Sequence, residues 1–176
     1  MYVYRIQKDK KFLVIGESFP FFPLDLDACS SYRKETEILL ESSRKEQYPE
    51  QNSRLTSLFV FPACSEALLF DRAKYWASRY INTESLSSQC YLIKLKINKP
   101  IQFHDATIYE KLCVAKKYNQ SVNEAALSTE YWHELDEDET NNCLEAEGLA
   151  QDAIIVSVDS CFVTHDSFSI VEKDVV

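Results

Sequence analysis

Glycine is nearly absent from the sequence, which has only Gly16 and Gly148 among its 176 residues. Dinucleotide-binding turns, P-loops and the glycine-rich loops of kinases need several glycines close together, because backbone N–H groups must approach phosphate there. Gly16 and Gly148 lie far apart in the chain. The sequence therefore excludes these glycine-rich nucleotide cradles, and any nucleotide must be held in another way.

Basic residues and long apolar runs are also scarce. The chain has 19 Lys and Arg against 28 Asp and Glu, which gives a formal net charge of -9. Binding of a nucleic-acid backbone needs clustered basic side chains, so nucleic acid is not an expected partner. No apolar run approaches the ~18 residues of a membrane span, and the polar N-terminus lacks the apolar core of a signal peptide. We therefore expect a cytoplasmic protein with no membrane partner.

Paired metal ligands are missing as well. The six cysteines, which contain no C-x-x-C pair, are Cys29, Cys64, Cys90, Cys113, Cys143 and Cys161. Structural zinc sites usually start from ligands about two to four residues apart, and the three histidines are equally scattered, so no metal is expected. Without an export signal, the cysteines are interpreted as reduced and mostly buried thiols.

One acidic segment, residues 136–147, has the spacing of a calcium loop. Asp136, Asp138 and Glu147 fall at ligand positions of an EF-hand register. However, Asn141 stands where the sharp turn needs glycine, and a strand pattern follows Glu147 where an EF-hand has its second helix. We therefore expect a solvated acidic loop that does not bind calcium tightly.

The hydrophobic pattern predicts an α+β protein that forms a single domain over residues 1–176. Alternating or continuous apolar residues predict strands at 2–6, 12–15, 54–62, 89–97, 101–103 and 153–158, and a hairpin of 161–164 with 168–171. Helical spacing predicts helices at 30–48, 66–80, 107–117 and 123–135, with Ser65 and Asn123 as N-caps.

A set of polar and aromatic residues lies on or beside these strands. In chain order, the set comprises Arg5 on the first strand, Thr56 and Ser57 in the buried strand, Tyr131 with Trp132, and Glu145 with Glu147. An Arg on strand one, a Ser/Thr strand followed by a helix and a late Glu-x-Glu resemble the ADP-ribosyltransferase fold of the Arg-Ser-Glu class. The Tyr-Trp pair before the Glu is similar to that of small bacterial proteins with this fold.

The resemblance implies a split β-sheet core with peripheral helices, NAD as substrate and no metal. Glu147 would stabilise the positive charge that develops on ribose when the nicotinamide bond breaks, and Glu145 would orient the acceptor. The remaining assignments implied by the resemblance are Arg5 holding pyrophosphate or ribose oxygens, Thr56 or Ser57 hydrogen-bonding Glu147, and Tyr131 or Trp132 stacking on nicotinamide or adenine. Arg5, Ser57 and Glu147 would then converge on one cleft.

Two departures from the family pattern are visible. Leu55 stands where the family's Ser-Thr-Ser triplet begins, next to the charged Arg54, and Gly148 follows Glu147 where β-branched residues are usual. The expected function is a mono-ADP-ribosyltransferase or NAD glycohydrolase, and the acidity favours a basic protein or its arginine side chains as acceptor. Two alternatives stay open: a member of the same fold without catalysis that binds a protein through its acidic face, or an unrelated cytosolic α+β regulatory protein.

Overall fold

The computed structural model describes residues 1–63, 65–80, 88–163 and 167–174. The protein is mixed α+β, as the sequence predicts. The elements in chain order are β1 (Tyr2–Gln7), α1 (Ser31–Gln47), a 3-10 turn (Arg54–Thr56), β2 (Leu58–Pro62), α2 (Glu66–Tyr80), β3 (Ser88–Lys96), β4 (Phe103–Asp105), α3 (Ala106–Lys117), α4 (Glu124–Trp132), α5 (Glu137–Asn142), β5 (Ala146–Ala150), β6 (Ile154–Val163) and β7 (Phe168–Asp174).

The chain forms two compact units. The first unit comprises Met1–Pro20, Val60–Pro100 and Asp152–Val176, and the second comprises Phe21–Phe59 and Ile101–Gln151. The single domain over 1–176 stays a prediction. None of the described helices combines the length and the apolar character that a membrane crossing needs.

The first unit contains an antiparallel sheet and helix α2. Strand β1 pairs with β2 and β3, β3 pairs with β6, and β6 pairs with β7. Leu92 and Ile93 on β3 are both at most 1% exposed, and consecutive strand residues point to opposite faces, so β3 is covered on both sides. Helix α2 buries Ala73, Trp76 and Ala77, which lie at helical spacing on one face. Its predicted bounds are confirmed.

The second unit contains the β4–β5 pair and helices α1, α3 and α4, which pack against one another. Its buried apolar cluster consists of Leu40, Ile108, Leu112, Tyr131, Trp132 and Leu149. The side chain of Asp105 accepts a hydrogen bond from the backbone N–H of Thr107 at 2.8 Å and so begins α3. Asn123 accepts from Ala126 in the same way, which confirms the predicted cap of α4.

Several predicted elements differ in the structure. The strand at 12–15 is wrong: Phe12 has φ 66° and Gly16 has φ 89°, and such left-handed backbone cannot continue a strand. The strand predicted from residue 54 begins only at Leu58, because Arg54–Thr56 forms a 3-10 turn. Ser53 Oγ caps this turn by accepting a hydrogen bond from the backbone N–H of Leu55. The short strand at 101–103 is displaced to Phe103–Asp105.

Glu137–Asn142 within the acidic segment form a helix, so the prediction of a loop there is wrong. Asp136 accepts from the backbone N–H of Glu139 at 2.8 Å, and Glu139 accepts from the backbone N–H of Asp136 at 3.0 Å. This capping box begins α5 and replaces the loop that EF-hand ligands need. Within the described ranges, no group of three or more His, Cys, Asp and Glu residues could hold a metal ion.

The cysteines that the structure describes are thiols and not disulfides, as predicted: Cys29, Cys90, Cys113, Cys143 and Cys161. Cys64 lies outside the described residues. Burial raises the pKa of Cys90 to about 11 and that of Cys161 to about 12. These two thiols therefore stay protonated at neutral pH.

Candidate functional site

A buried ionic cluster lies in the second unit and is called here the Arg54 cluster. It consists of Arg54 in the 3-10 turn, Glu37 on α1, Tyr131 on α4 and Glu147 on β5. The guanidinium donates from Nε and Nη2 to the two carboxylate oxygens of Glu37, at 2.9 and 3.1 Å. Its Nη1 donates to the Tyr131 hydroxyl and to Glu147 Oε1. None of the four side chains is more than 5% exposed.

Helix α1 supplies the cluster with an acid because its buried face is partly charged. Glu37 and Glu41 lie one helical turn apart on the same face as Leu40. Glu41 makes a second bidentate pair, with Arg44 Nε and Nη2 at 3.1 and 2.8 Å, and also accepts from Ser53 Oγ at 2.7 Å. Glu41 thus holds Ser53, which caps the 3-10 turn, and Glu37 holds Arg54, the first residue of that turn.

The segment before the 3-10 turn is tied to other elements by its side chains. Gln51 Nε2 donates to the carbonyl oxygen of Trp132 at 3.0 Å, at the end of α4. Asn52 Nδ2 donates to the carbonyl oxygen of Leu149 at 2.7 Å, on β5. Residues 51–53 therefore contact α4, β5 and α1 in turn, and this fixes the point from which the Arg54 side chain enters the core.

Aromatic rings surround the guanidinium of Arg54. Its central carbon lies 4.7 Å from the ring centroid of Phe59, 4.2 Å from that of Tyr109 and 5.1 Å from that of Tyr131. A cation in contact with ring faces is attracted to them, and the attraction grows where water is excluded. The rings therefore replace part of the hydration that Arg54 loses on burial.

The electrostatics of the cluster keep its charges in place. Burial acts to lower the pKa of Arg54, but Glu147 and Glu37 outweigh this and hold it well above its ordinary value. Burial also raises the pKa of Tyr131 well above its ordinary value, and Arg54 opposes this rise. Tyr131 consequently keeps its proton, accepts from Arg54 and donates to Glu147 Oε1 at 2.5 Å.

The two carboxylate oxygens of Glu147 have different surroundings. Oε1 accepts from both Arg54 and Tyr131. Oε2 accepts from no residue in the part of the chain that the structure describes. Because an ionised carboxylate has about four acceptor sites, Oε2 can accept hydrogen bonds from a ligand.

His104 lies beside Glu147 and adds no positive charge at neutral pH. The two residues are directly opposite in the β4–β5 register, so their side chains share one face. The imidazole stacks on Tyr131 at 5.4 Å and meets Trp132 edge-on at the same distance. Burial lowers the pKa of His104 to about 4, although the backbone carbonyl of His133 opposes the shift. Its Nδ1 has no hydrogen-bond partner among the described residues.

The structure brings two of the predicted site residues, Glu147 and Tyr131, into direct contact. Tyr131 and Trp132 have no exposed surface and belong to the buried apolar cluster of the second unit, and the stacking of either ring on a base stays a prediction. Trp132 Nε1 donates to the carbonyl oxygen of Leu40 at 2.9 Å and packs in the core. Glu145 is half-buried in the turn before β5, where its carbonyl oxygen accepts from Ala106 at 3.2 Å.

The predicted hydrogen bond from Thr56 or Ser57 to Glu147 is wrong. Thr56 is exposed at the end of the 3-10 turn. Ser57 is 3% exposed, and its Oγ has no partner in the described part of the chain. Glu147 instead accepts hydrogen bonds from Arg54 and Tyr131. The 3-10 turn directs the side chain of Arg54 into the core, whereas a strand beginning at residue 54 would direct it elsewhere.

Two residues of the cluster, Arg54 and Glu37, are absent from the predicted site. One signal could have found them: both are charged residues beside apolar core positions, and a buried charge needs a partner. Arg5 lies in the first unit on β1, where its guanidinium is 5.6 Å from the Phe19 ring. Its convergence with Ser57 and Glu147 stays a prediction.

Gly148, which follows Glu147, lies where a side chain would meet close neighbours. A Cβ atom at this position would lie 2.7 Å from Ile101 Cδ1 and 2.8 Å from Phe103 Cε1. Contacts this short do not occur between real side chains, so only glycine fits here without a shift of its neighbours. The glycine therefore lets Ile101 and Phe103 pack closely against β5 next to Glu147.

The fold and the site define an α+β protein whose second unit is organised around a buried Glu–Arg–Glu cluster. A family model described as "Protein of unknown function (DUF2441)" matches residues 5–159, which is most of the chain, and the chain belongs to this family. The matched range includes all four residues of the Arg54 cluster. No curated protein matches the sequence.

Proposed function

We propose that the protein binds NAD and breaks its nicotinamide–ribose bond, as a mono-ADP-ribosyltransferase or NAD glycohydrolase with an ADP-ribosyltransferase-like core. Glu147 is the carboxylate that stabilises the reacting ribose. The observation that carries this proposal is the asymmetry of Glu147: two donors fix Oε1, while Oε2 accepts no hydrogen bond from a described residue. A carboxylate arranged in this way can accept a hydrogen bond from a ribose hydroxyl through Oε2 while both bonds to Oε1 stay in place.

The reaction needs negative charge close to the ribose. When the bond between ribose C1′ and nicotinamide breaks, its electron pair stays on nicotinamide, which leaves neutral, and C1′ becomes electron-deficient. A nucleophile, either water or an acceptor side chain, then adds to C1′ and loses its proton. Preorganised charge in a site with little water is usually the largest catalytic term.

The charge balance of the Arg54 cluster suits this task. With both carboxylates ionised, the Arg54 guanidinium neutralises only one of Glu37 and Glu147, so the three groups carry a formal charge of −1. His104 is neutral at neutral pH and does not compensate it. A positive charge on ribose next to Glu147 would compensate it. The side chain of Glu147 is only 4% exposed, so ribose must contact the small exposed part of this side chain.

The acceptor is a cationic group, and a protein arginine is the side chain that we favour. The chain has a net charge of -9, which attracts a basic partner over distances of about a Debye length, ~10 Å at moderate salt. Glu145 is half-buried two positions before Glu147 in the chain and is the residue that would orient the acceptor. Glu145→Gln should then keep NAD hydrolysis and lose transfer.

The substitution Glu147→Gln tests the proposal. It removes one charge and keeps the shape of the side chain, so we expect nicotinamide release to fall by about 10²–10³ with NAD binding retained. Release is measured by chromatography and binding by titration calorimetry, and thermal unfolding of both proteins shows that the variant is folded. Wild-type protein that binds no NAD at millimolar concentration contradicts the proposal.

A second candidate function keeps the fold without catalysis. The burial and ion pairing of Glu147 favour it, because the same contacts would hold a purely structural carboxylate. In that case wild-type protein binds NAD but releases no nicotinamide, even when cell lysate supplies acceptors, and the acidic surface binds a protein partner. The release assay above separates the two candidates.

A further inference from the structure

We propose that Arg54 is a positioning residue for Glu147 and that Glu37 sets the orientation in which Arg54 acts. This inference deepens the proposed function and rests on it. Neither Arg54 nor Glu37 belongs to the Arg, Ser/Thr and Glu pattern that the sequence resembles. Their role follows from how one guanidinium is divided between two carboxylates.

The guanidinium of Arg54 is rigid. Its five N–H groups lie in one plane, so fixing one edge fixes the direction of the others. Glu37 takes the edge formed by Nε and Nη2 in a bidentate pair at 2.9 and 3.1 Å. The direction of Nη1 is thereby determined, and Nη1 is the atom that donates to Glu147 Oε1.

Arg54, Tyr131 and Glu147 form a closed set of hydrogen bonds. Arg54 Nη1 donates to the Tyr131 hydroxyl and to Glu147 Oε1, and the Tyr131 hydroxyl donates to the same oxygen. Both bonds to Glu147 therefore depend on where Nη1 lies. If Nη1 moves, Oε1 loses one donor, and the second donor, Tyr131, loses the group that orients it.

Helix α1 carries a second Glu–Arg pair. Glu41 lies one turn after Glu37 and makes a bidentate pair with Arg44 at 3.1 and 2.8 Å. The exposed fraction is 9% for Glu41 and 3% for Glu37. Neither Arg44 nor Ser53, the two nearest partners of Glu41, donates to Glu147. Glu41→Gln therefore removes a similar buried acid from the same helix while the Glu37–Arg54 pair that directs Nη1 remains, and serves as the control for Glu37→Gln.

The experiment compares Glu37→Gln with Glu41→Gln. A glutamine at 37 offers one acceptor oxygen to a fork that needs two, so Nη1 should turn away from Glu147. We expect Glu37→Gln to lower kcat for nicotinamide release by about tenfold or more, with KM for NAD within about threefold of wild type. Glu41→Gln should keep kcat within about threefold even though both variants lose stability.

The conservative variant Arg54→Lys gives a further readout. A lysine ammonium keeps the charge but cannot pair with Glu37 in bidentate fashion while also reaching Tyr131 and Glu147. We expect it to lose as much kcat as Glu37→Gln. If Arg54→Lys instead keeps the wild-type kcat, only the positive charge at residue 54 matters, and the positioning role is overturned.

Crystal structures of the two glutamine variants test the inference without NAD. In Glu37→Gln we expect Glu147 to lose at least one hydrogen bond to Oε1, and in Glu41→Gln we expect both to persist. If wild-type protein neither binds nor cleaves NAD, the proposed function fails and these structures alone decide the inference. A Glu147 carboxylate that keeps both bonds in Glu37→Gln overturns it, as do equal losses of kcat in the two variants. If Glu37→Gln does not fold, Glu37→Asp, which keeps the charge and withdraws the carboxylate by one methylene, replaces it.

Discussion

Individual buried side chains in the second unit combine charge with aromatic surroundings. Arg54 is 5% exposed, and His104 is 1% exposed between Tyr131 and Trp132. Arg54 keeps its charge because carboxylates outweigh the cost of burial, whereas His104 loses its charge because desolvation is the largest influence on it. The same core therefore holds one basic side chain charged and another neutral.

The neutral state of His104 predicts a dependence of stability on pH. Burial lowers the pKa of His104 from 6.5 to about 4, so the unfolded chain binds a proton more readily than the folded protein between these values. Stability from this residue is complete above pH 6.5 and is lost as pH falls towards 4, by ~3 kcal/mol in total.

The measurement is urea unfolding of wild type and His104→Phe at pH 7, 5 and 4. Phenylalanine keeps the stacking on Tyr131 and removes the titration. The variant should therefore lose ~3 kcal/mol less than wild type across this range. Parallel losses in the two proteins would mean that His104 does not titrate between these pH values.

At the scale of elements, the sequence predicts those whose stability comes from apolar periodicity. Helix α2 and strand β3 follow from spacing alone, because their buried residues recur at the period of the element. Helix α5 and the 3-10 turn do not follow, because short elements with few apolar residues depend on side-chain hydrogen bonds to the backbone. The Arg54 cluster depends on that 3-10 turn, so its geometry could not be predicted from the sequence. Two of its members, Glu147 and Tyr131, are nevertheless among the predicted site residues.

The capping box of α5 gives a prediction at this scale. Asp136→Ala removes the acceptor for the Glu139 N–H and should lower the free energy of unfolding by about 1 kcal/mol. Asp136→Asn keeps an acceptor oxygen in the same place and should retain most of that stability. Chemical denaturation of the three proteins measures the difference. Equal losses in the alanine and asparagine variants would assign the effect to charge instead of capping.

At the scale of the whole molecule, acidic residues serve two purposes. Glu37, Glu41 and Glu147 are buried and paired with arginines, whereas Glu137 and Asp138 on α5 are exposed. The buried acids hold the interior of the second unit together. The exposed acids contribute to the net charge of -9, which would attract the cationic acceptor proposed above.

The cysteine chemistry of the whole chain gives a further prediction. After denaturation without reductant, a thiol reagent should modify all six cysteines. In the native protein at neutral pH, Cys90 and Cys161 should react much more slowly than in the denatured chain. Burial raises the pKa of Cys90 to about 11 and that of Cys161 to about 12, and only the thiolate attacks the reagent. Fewer than six thiols in the denatured chain would reveal a disulfide and contradict the reduced state.

The Arg54 cluster joins segments that are distant along the chain. Its hydrogen bonds connect residues separated by 17, 77 and 93 positions. Closing contacts over such distances costs chain entropy before any of them stabilises the fold, so we expect the cluster to form late, after the folding transition state. Interactions absent from the folding transition state act mainly on the unfolding rate. We therefore expect the cluster to contribute to the lifetime of the folded protein more than to the speed at which it folds.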